Sequence, residues 1–364
     1  MTVHVVHLVA SFDTGGLQNG IVNLANHMDT GRVRHTVLSI SPQMGLADRL
    51  QHADAISLNI GAGAHRGAWR QVAEILRGLD ADILHTRNQA TWPDGIRAAR
   101  QARIRSRIHG FHGRDMGQID GLPFTRRLLG RVLATATNRF VALTPSMRDE
   151  FAAEFFISPS RIDVIANGFD LTRFGPRATD AKKLTPFTVA TIGRFAPVKN
   201  ISLLLRSFAG MKHRQQDDRL IVAGDGEERA TLELLAEKLG IAACVEFPGM
   251  VEDPESIYSA ADIYVQPSLY EGMSNTIVEA MVSGVPVIAT DVGGNCDVVG
   301  QDGGGVLVPS NNADTLTAAL DNWRSDKAAR RESGLVGQQR ALKRFSLERM
   351  VEAYLAVYES MDRS

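Results

Sequence analysis

The sequence predicts an α/β protein of two Rossmann-like, doubly wound domains facing across a cleft. Three observations carry that expectation. The chain has 364 residues, enough for two domains that each bury a core. Short apolar runs alternate with helical patterns, which implies parallel sheets with helices on both faces. The alternation stops near residue 170 and then starts again. Apolar residues make up 44% and charged residues 22%, the profile of a soluble globular protein.

In the first half the predicted strands are Val3–Ala10, His35–Ile40, Ala55–Leu58, Asp82–His85, Ser106–His109 and Phe140–Leu143. Helical patterns such as Gly20–Met28 and Trp69–Leu79 separate them. In the second half the strands are Thr188–Ile192, Arg219–Ala223, Val245–Pro248, Ile263–Gln266, Val287–Thr290 and Gly305–Val308. Asn167-Gly168-Phe169-Asp170 and the stretch running on to Pro186 read as the interdomain linker. The expected domains are therefore 1–172 and 177–345. A last helix, about Leu347–Ser360 within a 346–364 tail, is expected to pack back on the first domain. Ligands of doubly wound sheets bind beyond the C-terminal ends of the strands, so a site is expected in the cleft.

Charge is unevenly spread. Residues 1–175 hold 20 Arg, no Lys and 15 acids, a net +5, while the remainder nets −6. Between Arg87 and Arg148 there are 12 Arg against three acids. Such a surface suits an anionic partner or is a solvated face. Leu122–Leu133 mixes Arg with large apolar residues at helical spacing, the pattern of a basic amphipathic helix. No leader or spanning segment is apparent. The two cysteines, Cys244 and Cys296, read as reduced thiols. A cytoplasmic location, peripheral on the membrane face, is the expectation.

Three segments carry candidate chemistry. Asp13-Thr14-Gly15-Gly16-Leu17 follows the first strand and precedes a helix. Gly15 and Gly16 would let backbone N–H groups approach a phosphate or sugar, although a plain tight turn gives the same pattern. Gly193-Arg194-Phe195-Ala196-Pro197-Val198-Lys199-Asn200 follows Thr188–Ile192. Gly193 permits a sharp turn, and Arg194 and Lys199 would reach a diphosphate above the strand end. Finally, Glu271-Gly272-Met273-Ser274-Asn275 leads into a helix bearing Glu279. Amides from Gly272 to Ser274 at a helix N-terminus suit a phosphate. Thr276-x-x-Glu279 also fits a capping box. Asp80-Ala81-Asp82 imitates a metal-binding D-x-D, but it precedes a strand, on the edge where ligands do not bind. The ten His residues lack metal-ligand spacing, so no metal is expected.

In this order and spacing the segments resemble glycosyltransferase family 4, retaining enzymes of the GT-B fold. Glu271 and Glu279 match that family's E-x7-E motif. Arg194 and Lys199 match its diphosphate-binding pair. Asn167–Asp170 resembles its Asn-Gly-Val-Asp linker, with Phe169 in place of Val, and Gly224-Asp225-Gly226 and Gly293-Gly294 match its glycine turns. The resemblance implies that Glu279 holds the donor ribose and that Glu271 lies by the donor sugar. It also implies a functional His in the loop His109-Gly110-Phe111-His112-Gly113-Arg114, where His112 aligns best. His85-Thr86-Arg87-Asn88 ends the neighbouring strand. Arg87, Asn88, His109 and Arg114 are read as acceptor-binding. Together these two patterns resemble a subgroup found with exopolysaccharide and exosortase-linked gene clusters.

The function implied is retaining, metal-independent transfer of a sugar from a UDP- or GDP-linked donor to a glycan or lipid-linked acceptor. The nucleotide sugar is a substrate, so no cofactor is expected. Expected catalytic residues are His112, Glu271, Arg194 and Lys199. Gly15, Gly16, Gly193, Gly272, Met273, Ser274, Asn275 and Glu279 are expected to join Arg194 and Lys199 in binding donor. A nucleotide-sugar epimerase and a non-catalytic nucleotide-sugar or glycan-binding subunit are the rival readings. Nucleic acid is not an expected partner, because no recognition module is apparent.

Overall fold

The computed structural model describes residues 2–13, 15–61, 67–114, 119, 121–171 and 186–362. Thr14, Asp115, Asp120 and most of the stretch read as the linker, 172–185, lie outside the described residues. The chain divides into two compact units. Met1–Gly113, Gly121–Phe169 and Phe345–Ser364 belong to the first, and Asp170–Arg344 belongs to the second.

Seven parallel strands build the first unit: β1 (Val3–Val9), β2 (Val33–Ser39), β3 (Ala53–Ser57), β4 (Ile83–Arg87), β5 (Ser106–Gly110), β6 (Arg139–Ala142) and β7 (Ile162–Val164). Their order is β3-β2-β1-β4-β5-β6-β7. The order reverses between β1 and β4, the switch point at which such sheets bind ligands. β1 is buried along its whole length, which is why its apolar residues do not alternate with polar ones at period two. The connections carry α1 (Gly16–His27), α2 (Ala68–Gly78), α3 (Trp92–Ala102), α4 (Phe124–Thr135) and α5 (Pro145–Phe155).

The second unit is a six-stranded parallel sheet. It holds β8 (Thr188–Ile192), β9 (Arg219–Ala223), β10 (Val245–Gly249), β11 (Ile263–Gln266), β12 (Val287–Thr290) and β13 (Gly305–Val308), in the order β10-β9-β8-β11-β12-β13. Here too the order reverses, between β8 and β11. Its helices are α6 (Ile201–Ala209), α7 (Arg229–Lys238), α8 (Pro254–Ala260), α9 (Asn275–Val282), α10 (Asn295–Val299), α11 (Ala313–Ser325) and α12 (Lys327–Arg344). Phe195, Leu204, Phe208, Val222, Ile263 and Leu316 are among the side chains of its core.

The last helix, α13 (Leu347–Asp362), lies on the first sheet. Leu347, Met350, Tyr354, Val357, Tyr358 and Met361 recur at helical spacing and pack against Val3, Val5 and Ile83. Burying each such side chain stabilises the unit by roughly 1.5–3 kcal/mol. Outgoing and returning chain are tied together here. Phe169 N–H donates to the Phe345 carbonyl at 3.0 Å, and Leu347 N–H donates to the Phe169 carbonyl at 3.2 Å.

Candidate active site

The donor-side residues gather at the C-terminal edge of the second sheet. β8 ends at Ile192, and the chain turns through Gly193 and Arg194 into a short 3-10 turn, Pro197–Lys199. The turn is seated on its neighbour: Gly193 N–H donates to the Ala223 carbonyl at 3.0 Å, and Phe195 N–H donates to the Asp225 carbonyl at 2.8 Å. Only glycine fits at position 224. Its φ is 130°, and a Cβ there would stand 1.9 Å from the Gly193 carbonyl oxygen.

Lys199 and Glu271, 72 residues apart, form an ion pair with Nζ to Oε1 at 2.7 Å. The Glu271 side chain is 10% exposed and that of Lys199 26%. Oε1 accepts two further hydrogen bonds, from Gln266 Nε2 at 2.8 Å and from Ser268 Oγ at 2.7 Å. The Gln266 amide is oriented in turn by Tyr264 OH at 2.7 Å and Thr276 Oγ1 at 3.1 Å, both donating to its Oε1. Among the described residues Glu271 Oε2 has no hydrogen-bond partner. The Glu271 backbone is fixed as well. Its carbonyl accepts from Gly294 N–H at 2.9 Å, and Gly293 at φ 49° comes so close that a Cβ would lie 2.0 Å from the same oxygen.

Gly272 and Met273 follow Glu271, and both are buried. Helix α9 then begins at Asn275, with Ser274 as its N-cap; Ser274 Oγ accepts from Ile277 N–H at 3.4 Å. That cap replaces the box expected at Thr276. Glu279 therefore lies in the second turn, and its Oε2 accepts from the buried Tyr258 hydroxyl at 2.8 Å. Burial, then the Glu279 carboxylate, pushes the Tyr258 phenol well above its usual range, so it stays a donor. Arg194 is exposed and, among the described residues, unpaired. Gly15 and Gly16 stand where α1 starts, with first-turn N–H groups that no helix carbonyl reaches.

The first unit departs from two acceptor-side expectations. Arg87 was expected to face the acceptor, but it is 3% exposed and turned under α13. Its Nη1 donates to Tyr354 OH at 2.9 Å, and its Nη2 meets His7 Nδ1 at 3.2 Å. The reason is strand periodicity: His85 and Arg87 share one face of β4, the face that α13 covers. His109, also expected to bind acceptor, is fully buried. It lies flat against Trp92 with centroids 4.2 Å apart, and its Nδ1 meets Thr86 Oγ1 at 2.8 Å.

His112 is half-buried just past β5, and neither ring nitrogen has a partner among the described residues. Its Nε2 and the unpartnered Nε2 of His85 both flank Gly110. Asn88 follows β4 at φ 74°, capping the turn into α3, and Arg114 follows the His112 loop. Sequence reading missed a buried imidazole row beneath them. His7 Nε2 meets His35 Nδ1 at 2.9 Å, and Tyr358 OH meets His85 Nδ1 at 3.2 Å. Burial first, then the Arg87 charge, holds His7, His85 and His112 well below the ordinary imidazole range, and His35 down to about 3. The signal was available: inward-facing His residues on three neighbouring strands. A cavity of about 690 Å³, lined by His4, Arg34, Asp80 and Asp82 among others, lies at the opposite, N-terminal edge of this sheet.

Residues 177–339 match the family described as Glycosyl transferases group 1, and residues 14–173 match Glycosyltransferase Family 4. The D-inositol 3-phosphate glycosyltransferase of Corynebacterium kroppenstedtii is 33% identical over 222 residues, 56% of this chain and 49% of that protein. The chain spans about half the length of the relatives of that name that it matches. The UDP-Gal:alpha-D-GlcNAc-diphosphoundecaprenol alpha-1,3-galactosyltransferase of Escherichia coli is 28% identical over 267 residues, 70% of this chain and 69% of that one. Among solved structures, Anabaena HepE in complex with UDP and glucose superposes with a TM-score of 0.84 at 20% identity, covering 98% of this chain and 100% of that one. That likeness is one of fold. The chain belongs to the glycosyltransferases, with a family 4 first domain and a group 1 second domain.

Proposed function

We propose that this protein is a retaining glycosyltransferase. It moves a sugar from a UDP- or GDP-sugar to a glycan or lipid-linked acceptor in polysaccharide biosynthesis. The observation that carries the reading is the buried Glu271, held by Lys199, Gln266 and Ser268 at the end of a strand, with Glu279 in the second turn of the helix that follows. An ammonium has three donors. Lys199 spends one on Glu271 and keeps two for a diphosphate, and the exposed Arg194 adds a second cation. Glu271 Oε2 accepts from a donor-sugar hydroxyl, and Glu279 accepts from the ribose. The bond from the anomeric carbon to the diphosphate oxygen breaks. The bond to the acceptor oxygen forms on the same face, and the acceptor proton leaves with the diphosphate. Fixed charges at the leaving group lower the barrier without proton transfer from the protein. His112 binds a sugar hydroxyl. No metal or cofactor enters this scheme.

The enzyme works at the cytoplasmic face of a membrane, and the Arg-rich first domain meets the anionic surface. Among the described residues no helix is long and apolar enough to cross a bilayer. A panel of UDP- and GDP-sugars offered with lipid-linked acceptors tests the transfer. The expected result is release of one nucleoside diphosphate in step with an acceptor carrying a sugar of unchanged anomeric configuration. Donor consumed without an acceptor product would instead favour an epimerase.

A further inference from the structure

We infer that α4, with Phe156 beside it, is the element of the first domain that docks on an anionic lipid surface, a claim that rests on the membrane reading above. Helix α4 buries only Gly130, Leu133 and Ala134. Its opposite side presents Phe124 at 72% exposure, Val132 at 59%, and Leu128 and Leu129 each at about half. Phe124, Leu128 and Val132 are spaced i, i+4, i+8, so they form one stripe about 12 Å long. On a helical wheel the stripe points directly away from the buried residues. Arg127 and Arg131 border it on one edge, and Arg126 lies beyond Leu129 on the other.

A second element continues the patch. Phe156 ends α5 at φ 54°, a left-handed conformation uncommon for a bulky residue. Its ring is 73% exposed, and the Arg131 guanidinium lies 3.7 Å over it. The two helices are brought close at Gly130, where a Cβ would fall 2.3 Å from the Phe155 ring. The apolar stripe of α4 and the Phe156 ring are thus held side by side.

Charge selects the occupant. From Phe124 to Arg148 the chain has no Asp or Glu and five Arg. A projecting stripe of single apolar side chains, edged by guanidinium groups, matches the boundary between headgroups and acyl chains. The apolar tips dip below the headgroups while the Arg heads stay among the phosphates.

Flotation with phosphatidylcholine vesicles, with and without phosphatidylglycerol, tests the inference. The full chain should bind the anionic vesicles at low salt and leave them at high salt. Two triple variants separate the contributions: Arg126→Ser with Arg127→Ser and the half-buried Arg131→Ser, and Phe124→Ser with Leu128→Ser and Val132→Ser, all three exposed. The first should weaken binding roughly a hundredfold, since each basic residue near an anionic surface contributes about a factor of five. The second should abolish insertion with the charge intact. Absence of wild-type binding at low salt, or wild-type binding by either variant, overturns the inference. So does a concentration-dependent dimer that the apolar variant dissolves, which would make a second copy the occupant. UDP and GDP titrated into the same preparations keep the claims apart. Intact nucleotide binding with failed flotation removes the lipid face and leaves the transferase reading standing.

Discussion

Glu271 Oε1 receives Lys199 Nζ at 2.7 Å together with two side-chain hydrogen bonds from Gln266 and Ser268, so the carboxylate is fixed before any donor arrives. A group in place in advance costs no reorganisation at the moment of reaction. Glu271→Gln keeps the shape but puts an amide where Lys199 and Gln266 both donate. Turnover should fall by roughly a hundredfold or more, the scale of losing one preorganised electrostatic contact. Nucleoside diphosphate affinity should change far less. Steady-state kinetics beside calorimetry separates the two, and an equal loss in both would mean that Glu271 acts on the diphosphate through Lys199 and not on the sugar.

Tyr258 gives the second carboxylate its direction. Its hydroxyl donates to Glu279 Oε2 at 2.8 Å, and Glu279 is not part of a capping box, because Ser274 caps α9. Glu279→Gln should leave the melting temperature near that of wild type while weakening nucleotide-donor binding. Tyr258→Phe should raise the donor KM about fivefold, the equivalent of one hydrogen bond of about 1 kcal/mol, with kcat nearly unchanged. Full donor affinity in Glu279→Gln would remove it from the ribose.

The two loop histidines should behave oppositely. His112→Ala should lower turnover more than donor affinity and leave stability intact, since its ring nitrogens hold no partner among the described residues. His109→Ala deletes a ring stacked on Trp92 in the core. It should cost stability, roughly 2–5 kcal/mol by analogy with large-to-small core changes. A catalytic defect without a stability defect in His109→Ala would mean that the functional histidine is three residues earlier.

Acid should weaken the first domain in a defined window. His7, His35, His85 and His112 are neutral when folded, with lowered pKa values, while in the unfolded chain they titrate near 6.5. Below about 6.5 the unfolded state takes up protons that the folded state refuses, so stability drops as pH falls, down to about 3 for His35. Above about 7 these groups add no pH dependence. Melts between pH 8 and 4 should be flat, then decline; a flat profile to pH 5 would contradict the buried neutral row.

Most of the fold was legible because parallel strands buried on both faces are apolar runs bounded by glycine turns. Thr188–Ile192, Arg219–Ala223, Ile263–Gln266, Val287–Thr290 and Gly305–Val308 fall where the sequence places them. Strand β7 was missed. Three residues at a sheet edge, one of them exposed, carry no periodic signal. In the site, Arg194 and Glu271 stood out as charges beside glycines at strand ends, and Lys199 and Glu279 followed from their spacing to them. Their supports Tyr258, Gln266 and Ser268 did not, because neutral side chains carry no charge signal and Gln266 closes a strand that reads as core. Gln266, the one amide closing the apolar strand Ile263–Gln266, was the available clue. Arg87 misled because an arginine at a strand end suggests a ligand, and only the face shared with His85 reveals its burial under α13.

The most direct test of the account is titration of UDP and of GDP into wild type and Lys199→Ala. Two charged hydrogen bonds to phosphate contribute about 1.5–3 kcal/mol each, so the substitution should weaken whichever nucleotide binds by at least about tenfold, with the melting curve still cooperative. Unchanged affinity in Lys199→Ala, with wild type binding normally, would contradict the assignment of this edge of the second sheet to the donor diphosphate.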